Sequence, residues 1–236
     1  MGFNRASQAY NPGMDGKDRR SSQELAREFM ARGDSQGWFE ELYRQAEGDP
    51  SFVPWADLQP SPLLLQLLDA HLPKPDGPAV VVGCGLGDDA EELARRGLSV
   101  TAFDLSETAI NWCHERWPDS PVDYRAADLL HLPAEMHGRF GLVVEINTLQ
   151  AVPDALRLRM FAPLAGMLAP GGRLVVICRV REEGERIEGP PWALCRSELD
   201  MLTADHGLEN ERFELLSDGE DPPRVRYVTV FRRPPA

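Results

Sequence analysis

A chain of 236 residues, 42% of them hydrophobic, can bury one good α/β core, so we read a single globular domain with an N-terminal extension. The net charge of -13 weighs against a phosphate-backbone partner, which basic patches would have to hold, and Arg19-Arg20 and Arg95-Arg96 are too short to make one. The cysteines Cys84, Cys113, Cys178 and Cys195 show no C-x-x-C pairing, no His/Cys/Asp spacing suggests a metal, and neither a signal peptide nor an apolar run of about 20 residues is visible. The expectation is therefore a cytoplasmic chain with reduced thiols, no metal, no membrane and no nucleic acid.

Residues 1–21 mix Gly, Asn, Pro, Asp, Lys and Arg without periodicity and read as a disordered tail. Ser21-x-x-Glu24 is a capping box ahead of Leu25, Ala26, Phe29 and Met30, predicting a short amphipathic helix that stops near Gly33. A second helix follows from the i,i+4 pairs Trp38–Leu42 and Phe39–Tyr43, then a proline-rich extended stretch with Trp55, then a helix over Leu63 to Leu72. Residues 22–75 form a helical segment expected to lie across the mouth of a site as a lid, and 76–236 the main domain.

From Ala79 the pattern alternates strand and helix, which predicts a doubly wound, mostly parallel sheet. The apolar run Ala79-Val80-Val81-Val82 reads as a strand buried on both faces and enters the loop Gly83-Cys84-Gly85-Leu86-Gly87. An acidic helix start, Asp88-Asp89, follows. A pyrophosphate-binding loop would need glycine at position 88, and Asp88 there would repel that group. The second strand, Leu98 to Phe103, leads into Asp104, whose carboxylate can accept bonds from two ribose hydroxyls. Ser106 caps a helix over Glu107 to Arg116, and Val122 to Arg125 is a short edge-like strand followed by Asp128. Strand four spans Phe140 to Ile146. A helix over Asp154 to Leu168 ends at the turn Pro170-Gly171-Gly172, and strand five spans Arg173 to Cys178. Glu182 to Arg186 reads as a solvated loop, and Ser197 as the cap of a helix reaching about Asp205. Leu208 to Leu216 and Arg224 to Arg232 lack a helical crossover, so they should pair antiparallel, completing a seven-stranded sheet.

Glycine loop, helix, strand and terminal acid in this order resemble the class I S-adenosylmethionine-dependent methyltransferases, over residues 79 to 232. The resemblance implies S-adenosylmethionine as cofactor, S-adenosylhomocysteine as product and a Rossmann-like fold. It assigns cofactor contacts to Gly83, Cys84, Gly85 and Gly87, to Asp104 and Leu105, to Asp128 and Leu129, and to Glu145 and Ile146. Many members have an acid where this chain has Val81, so the methionine ammonium must be met elsewhere, with Glu145 or water as candidates. Gly189-Pro190-Pro191-Trp192, Ala151-Val152-Pro153, Arg159 and the stretch Trp38 to Pro62 are similar to the thiopurine methyltransferase-like small-molecule branch. That likeness implies a thiol, soft anion or aromatic acceptor, with Trp38, Trp55 and Trp192 as substrate or lid residues.

Outside the glycine loop, Glu145 is the sharpest candidate, because a carboxylate ending the run Leu142-Val143-Val144 is costly unless partnered. Either it meets the ligand's ammonium or acts on the acceptor, or it pairs with a neighbouring arginine. His114 and His131 read as solvated histidines. The partner expected is a small molecule, on a monomer or weak homodimer. The rival readings are a catalytically silent nucleotide-binding or scaffold protein, and an NAD-dependent oxidoreductase.

Overall fold

In the computed structural model, which describes residues 20–70, 72–220 and 222–236, seven strands form one sheet in the order β3-β2-β1-β4-β5-β7-β6. β1 (Ala79–Val82) and β4 (Phe140–Ile146) lie at its centre, paired in parallel. All of β1 and all but the last residue of β4 are buried, as an apolar strand covered on both faces must be. β2 (Val100–Asp104) and then β3 (Asp123–Ala126) extend the sheet in parallel on one side, with β3 at the edge as its half-polar sequence predicts. On the other side β5 (Leu168–Arg179) runs parallel to β4. β7 (Val225–Arg232) pairs antiparallel with both β5 and β6 (Glu209–Ser217), the arrangement expected of strands joined without a helix.

The two-residue alternation sorts each strand between two cores. Val80, Val82, Val143, Leu174 and Val176 pack with Phe161, Leu164 and Leu199 of α6 (Asp154–Met167) and α7 (Arg196–Ala204). Val81, Leu142, Val144 and Val175 pack on the opposite face. There they meet Leu64 and Leu67 of α3 (Pro62–Ala70), Leu93 of α4 (Asp88–Arg95) and Ile110 of α5 (Glu107–Arg116). Strand order reverses between β1 and β4, and a crevice opens at their carboxyl ends, where ligands of such sheets sit.

The N-terminal segment follows its sequence signals. Ser21 and Glu24 form the reciprocal capping box of α1 (Ser22–Ala31), and α2 (Trp38–Ala46) follows. Most of the predicted tail, residues 1–19, lies outside the described residues. Its last two positions are engaged, Arg20 with Gln45 and Glu28 and Ser21 as the cap. α2 docks through Glu40, whose carboxylate accepts from Ser106 Oγ at 2.6 Å and from Thr108 Oγ1 at 2.5 Å and its N–H at 3.2 Å, at the start of α5. Those bonds hold Glu40 below the usual carboxylate range although burial opposes them.

Two local readings are corrected. β5 begins at Leu168, directly after α6, and absorbs the predicted Pro170-Gly171-Gly172 turn as an irregularity. Its register jumps from Phe140↔Leu168 to Leu142↔Arg173, with Gly171 at φ +78°. The cap of α7 is Cys195, not Ser197: Cys195 N–H donates to Glu198 Oε2 at 2.9 Å. Ser197 instead donates its N–H and hydroxyl to Glu183, which ties the exposed loop of residues 182–186, solvated as read, to that helix. Of the α6 arginines, Arg159 is exposed, and Arg157 is buried and binds Glu198, Asp154 and the Trp192 carbonyl.

Candidate active site

The crevice is a cleft of about 660 Å³, and the glycine loop is its floor. Gly83 and Gly87 sit at φ +61° and +88°. A Cβ at Gly83 would overlap Thr148, and one at Gly87 would overlap the Tyr124 hydroxyl, so conformation and space both require glycine there. Asp104, at the end of β2, accepts from Gly85 N–H at 3.0 Å and from Ser106 N–H at 2.9 Å, one with each oxygen. Burial pushes its pKa up to about 6 against the pull of those backbone donors. Each oxygen keeps a lone pair, so two ribose hydroxyls can still be received. Asp128 also lines the cleft, but its oxygens are occupied by Leu130 N–H at 2.9 Å and the His131 ring at 2.7 Å. Cys84, Leu105, Leu129 and Ile146 complete this wall as expected positions for cofactor contacts.

The roof comes from the N-terminal segment. Trp38, Phe39, Tyr43 and Trp55 line the cleft, with Trp38 and Phe39 stacked at 4.0 Å and Trp55 edge-on to both. Trp55 Nε1 donates to the Tyr43 hydroxyl at 2.8 Å. That hydroxyl lies 3.4 Å from where a Cβ of Gly85 would stand, so Gly85 (φ +54°) is where loop and roof meet. Burial and the Asp104 charge raise the Tyr43 pKa well above the phenolic range, and it stays a neutral phenol. Trp38 Nε1 is a buried donor that has no partner among the described residues.

Two candidates are placed differently from the expectation. Glu145 is fully buried and does not line the cleft. Its position in β4 has the parity of Val143, which turns it toward α6, where Oε1 accepts from Leu149 N–H at 2.8 Å and Oε2 has no partner. It therefore holds the turn after β4, and no arginine bonds it directly among the described residues. Trp192 packs behind the roof against the Leu25–Trp38–Leu42 cluster, while Pro190 and Pro191 of its loop reach the cleft. The acids that do face the cavity near the helix start are Asp57, Asp88 and Asp89. Asp88 pairs with Arg116 at 3.0 Å, so its charge is not free to repel a ligand as the sequence implied. Asp89, raised by burial to about 6, accepts from Ser61 N–H at 2.7 Å.

Sequence reasoning missed Glu40, Asp57 and Arg179. No motif marks any of them, and only the packing of distant elements gives each a role.

This site, a glycine loop and a ribose acid at the switch point of a seven-stranded sheet with an antiparallel end, defines a Rossmann-like methyltransferase fold. Residues 79–172 match a methyltransferase domain family. The chain is 26% identical to a probable thiol methyltransferase 2 of Arabidopsis thaliana over 80% of both chains. It is 34% identical to a ubiquinone biosynthesis O-methyltransferase of Azotobacter vinelandii, where the match spans 49% of this chain and only 50% of that one. In fold it is similar to the 1,6-didemethyltoxoflavin-N1-methyltransferase of Burkholderia thailandensis, solved with its substrate and S-adenosylhomocysteine. The TM-score is 0.65, at 18% identity over 98% of both chains. Over residues 79–172 the chain carries a methyltransferase domain, on a fold shared with S-adenosylmethionine-dependent methyltransferases.

Proposed function

We propose that this enzyme methylates a small-molecule acceptor, a thiol, soft anion or aromatic nucleophile, by in-line displacement. The observation that carries the reading is the cleft itself. Its floor is a Cβ-free loop beside a ribose-type carboxylate, and its roof is a cage of three aromatic side chains and a phenol. When bound, S-adenosylmethionine supplies a methyl group to the acceptor's lone pair, and the carbon–sulfur electrons stay on sulfur.

The chain's own residues do the rest. Asp104 orients the ribose, and Gly83 to Gly87 let the backbone approach closely. The faces of Trp38, Phe39 and Trp55 favour a cation by their quadrupoles and exclude water. No histidine lines the cleft among the described residues, and Glu145 lies outside it. Alignment of the acceptor is thus the main contribution, worth roughly 7–11 kcal/mol in favourable cases, and acceptors that ionise on their own, such as thiols and acidic phenols, suit the site best. The 26% identity to a probable plant thiol methyltransferase, over 80% of both chains, supports a sulfur or soft nucleophile over an amine.

Release of S-adenosylhomocysteine, followed across thiols, phenols, amines and halides, tests the proposal. Turnover confined to amines would overturn the acceptor class. Tight binding of S-adenosylhomocysteine with no turnover of any acceptor would favour a silent binding protein.

A further inference from the structure

Arg179 is the last residue of β5, opposite Arg226 in the antiparallel register, and it faces the cleft. Its backbone is fixed on both sides: the N–H donates to Gln150 Oε1 at 2.6 Å and the carbonyl accepts from Leu194 N–H at 2.9 Å. Arg226 and Arg181 beside it are both satisfied, and the Arg224 side chain has, among the described residues, only an ion pair with Glu220 at 3.8 Å. Arg226 binds Asp218 at 2.8 Å, Glu220 at 3.0 Å and Asn147 at 3.1 Å, while Arg181 binds Glu198 at 2.8 Å. Arg179 has neither a side-chain hydrogen bond nor an ion pair among the described residues, and its Nε is buried with no partner. Burial, Arg224 and Arg226 together depress its pKa, so the cation is held in place at a cost that a bound anion would relieve.

Arg179, Arg224, Pro190 and Pro191 also line a second groove of about 580 Å³, which shares this wall with the main cleft. The guanidinium thus stands at the junction of the two. It is three strand positions from Asp104, or about 14 Å at the usual strand spacing.

We propose that Arg179 is an anion-binding residue that receives a carboxylate carried by the methyl acceptor. The acceptor is then a small organic acid whose apolar body lies against Pro190, Pro191 and Ile177 while its head meets Arg179. This rests on the methyltransferase reading above. A guanidinium fork matches a carboxylate in two parallel bonds, which a neutral isostere cannot offer. The other source of the same chemistry is the carboxylate of the cofactor's methionine end.

The test is calorimetric titration with 3-phenylpropanoate and its amide, with and without saturating S-adenosylhomocysteine. The wild-type protein is compared with R179Q and R179K, with matched melting curves as the control for folding. The expected result is acid bound at least tenfold tighter than amide by the wild type, the preference gone in R179Q and partly kept in R179K. S-adenosylhomocysteine affinity should stay within twofold throughout. Equal binding of acid and amide by the wild type overturns the proposal, as does a preference that survives in R179Q. So does a tenfold loss of S-adenosylhomocysteine affinity in R179Q with the acid preference intact, which would give Arg179 to the cofactor. Failure of the wild type to bind S-adenosylhomocysteine counts against the methyltransferase reading instead, and the acid–amide comparison on the unloaded protein still decides for or against Arg179.

Discussion

Replacing Glu145 by glutamine should flatten part of the protein's stability–pH curve. Burial raises this carboxyl from 4.5 to about 7, with the Leu149 and Thr148 N–H groups and the field of Arg157 opposing the shift. A raised folded pKa means that between these values the folded state keeps a proton the unfolded chain has released. Stability from this group is therefore full below about pH 4.5, falls as pH rises and levels off above 7. The difference of about 2.5 units corresponds to roughly 3 kcal/mol at 1.36 kcal/mol per unit. Glutamine keeps the acceptor for Leu149 and carries no charge, though its amide N–H₂ stands where Oε2 has no partner. That loss is independent of pH and shifts the whole curve without bending it. Asp89 and Asp104 slope the same way and Glu40 and Asp218 the other, so only the difference between variant and wild type isolates Glu145. Urea unfolding from pH 4.5 to 8 should show that difference moving by roughly 3 kcal/mol in favour of E145Q. Parallel curves would refute the assignment of Glu145 as a buried carboxyl that keeps its proton near neutrality.

Glu40→Ala removes three accepted bonds at the start of α5 and should lower stability by roughly 2 kcal/mol in urea unfolding, bonds to charged groups being non-additive and partly exposed here. It should also speed amide exchange across α1 and α2, and exchange rates equal to wild type would show that the roof is held by its aromatics alone. Asp104→Ala should weaken S-adenosylhomocysteine binding tenfold or more, read by calorimetry. Because hydroxyl donors favour the charged carboxylate, wild-type affinity should fall as pH drops through about 6, and the variant should lose that dependence.

The sheet was legible because its signals are local and repeated. The run Ala79 to Val82, the glycines behind it and Asp104 about 20 residues on each state a backbone need or a ligand chemistry in residue type alone. Element ends were read less well wherever a side chain from elsewhere decides them. Ser197 looks like a cap by type, but Glu198 reaches back to Cys195 and Glu183 arrives from another loop to take the serine. The placing of Glu145 was hidden for a related reason. Sequence shows a carboxylate ending an apolar run, but two-residue alternation turns it to the α6 face, and a turn bonds it there. Arg179 carried no signal, since an arginine at a strand end is ordinary until its side chain proves to have no partner.

The roof and the floor of the cleft share one small core. Tyr43, Ala46 and Val53 of the N-terminal segment pack with Leu86 of the glycine loop and Ala109 of α5, and Trp55 and Trp112 close the cluster. Tyr43 lies edge-on to both indoles, at 6.0 Å and 5.8 Å. Cys113 donates to the Gly85 carbonyl at 3.3 Å from below, and Arg116 and Trp117 hold the Leu86 carbonyl at 2.6 Å and 3.1 Å. The glycine loop is therefore gripped by α5 from one side and the roof from the other, and α5 in turn is gripped by the roof through Glu40. A shift of α2 cannot stay local, because it moves both groups that fix the loop. On this packing, order in the roof and order in the glycine loop are expected to rise together, and amide exchange that slows in both on adding S-adenosylhomocysteine is the outcome that checks it.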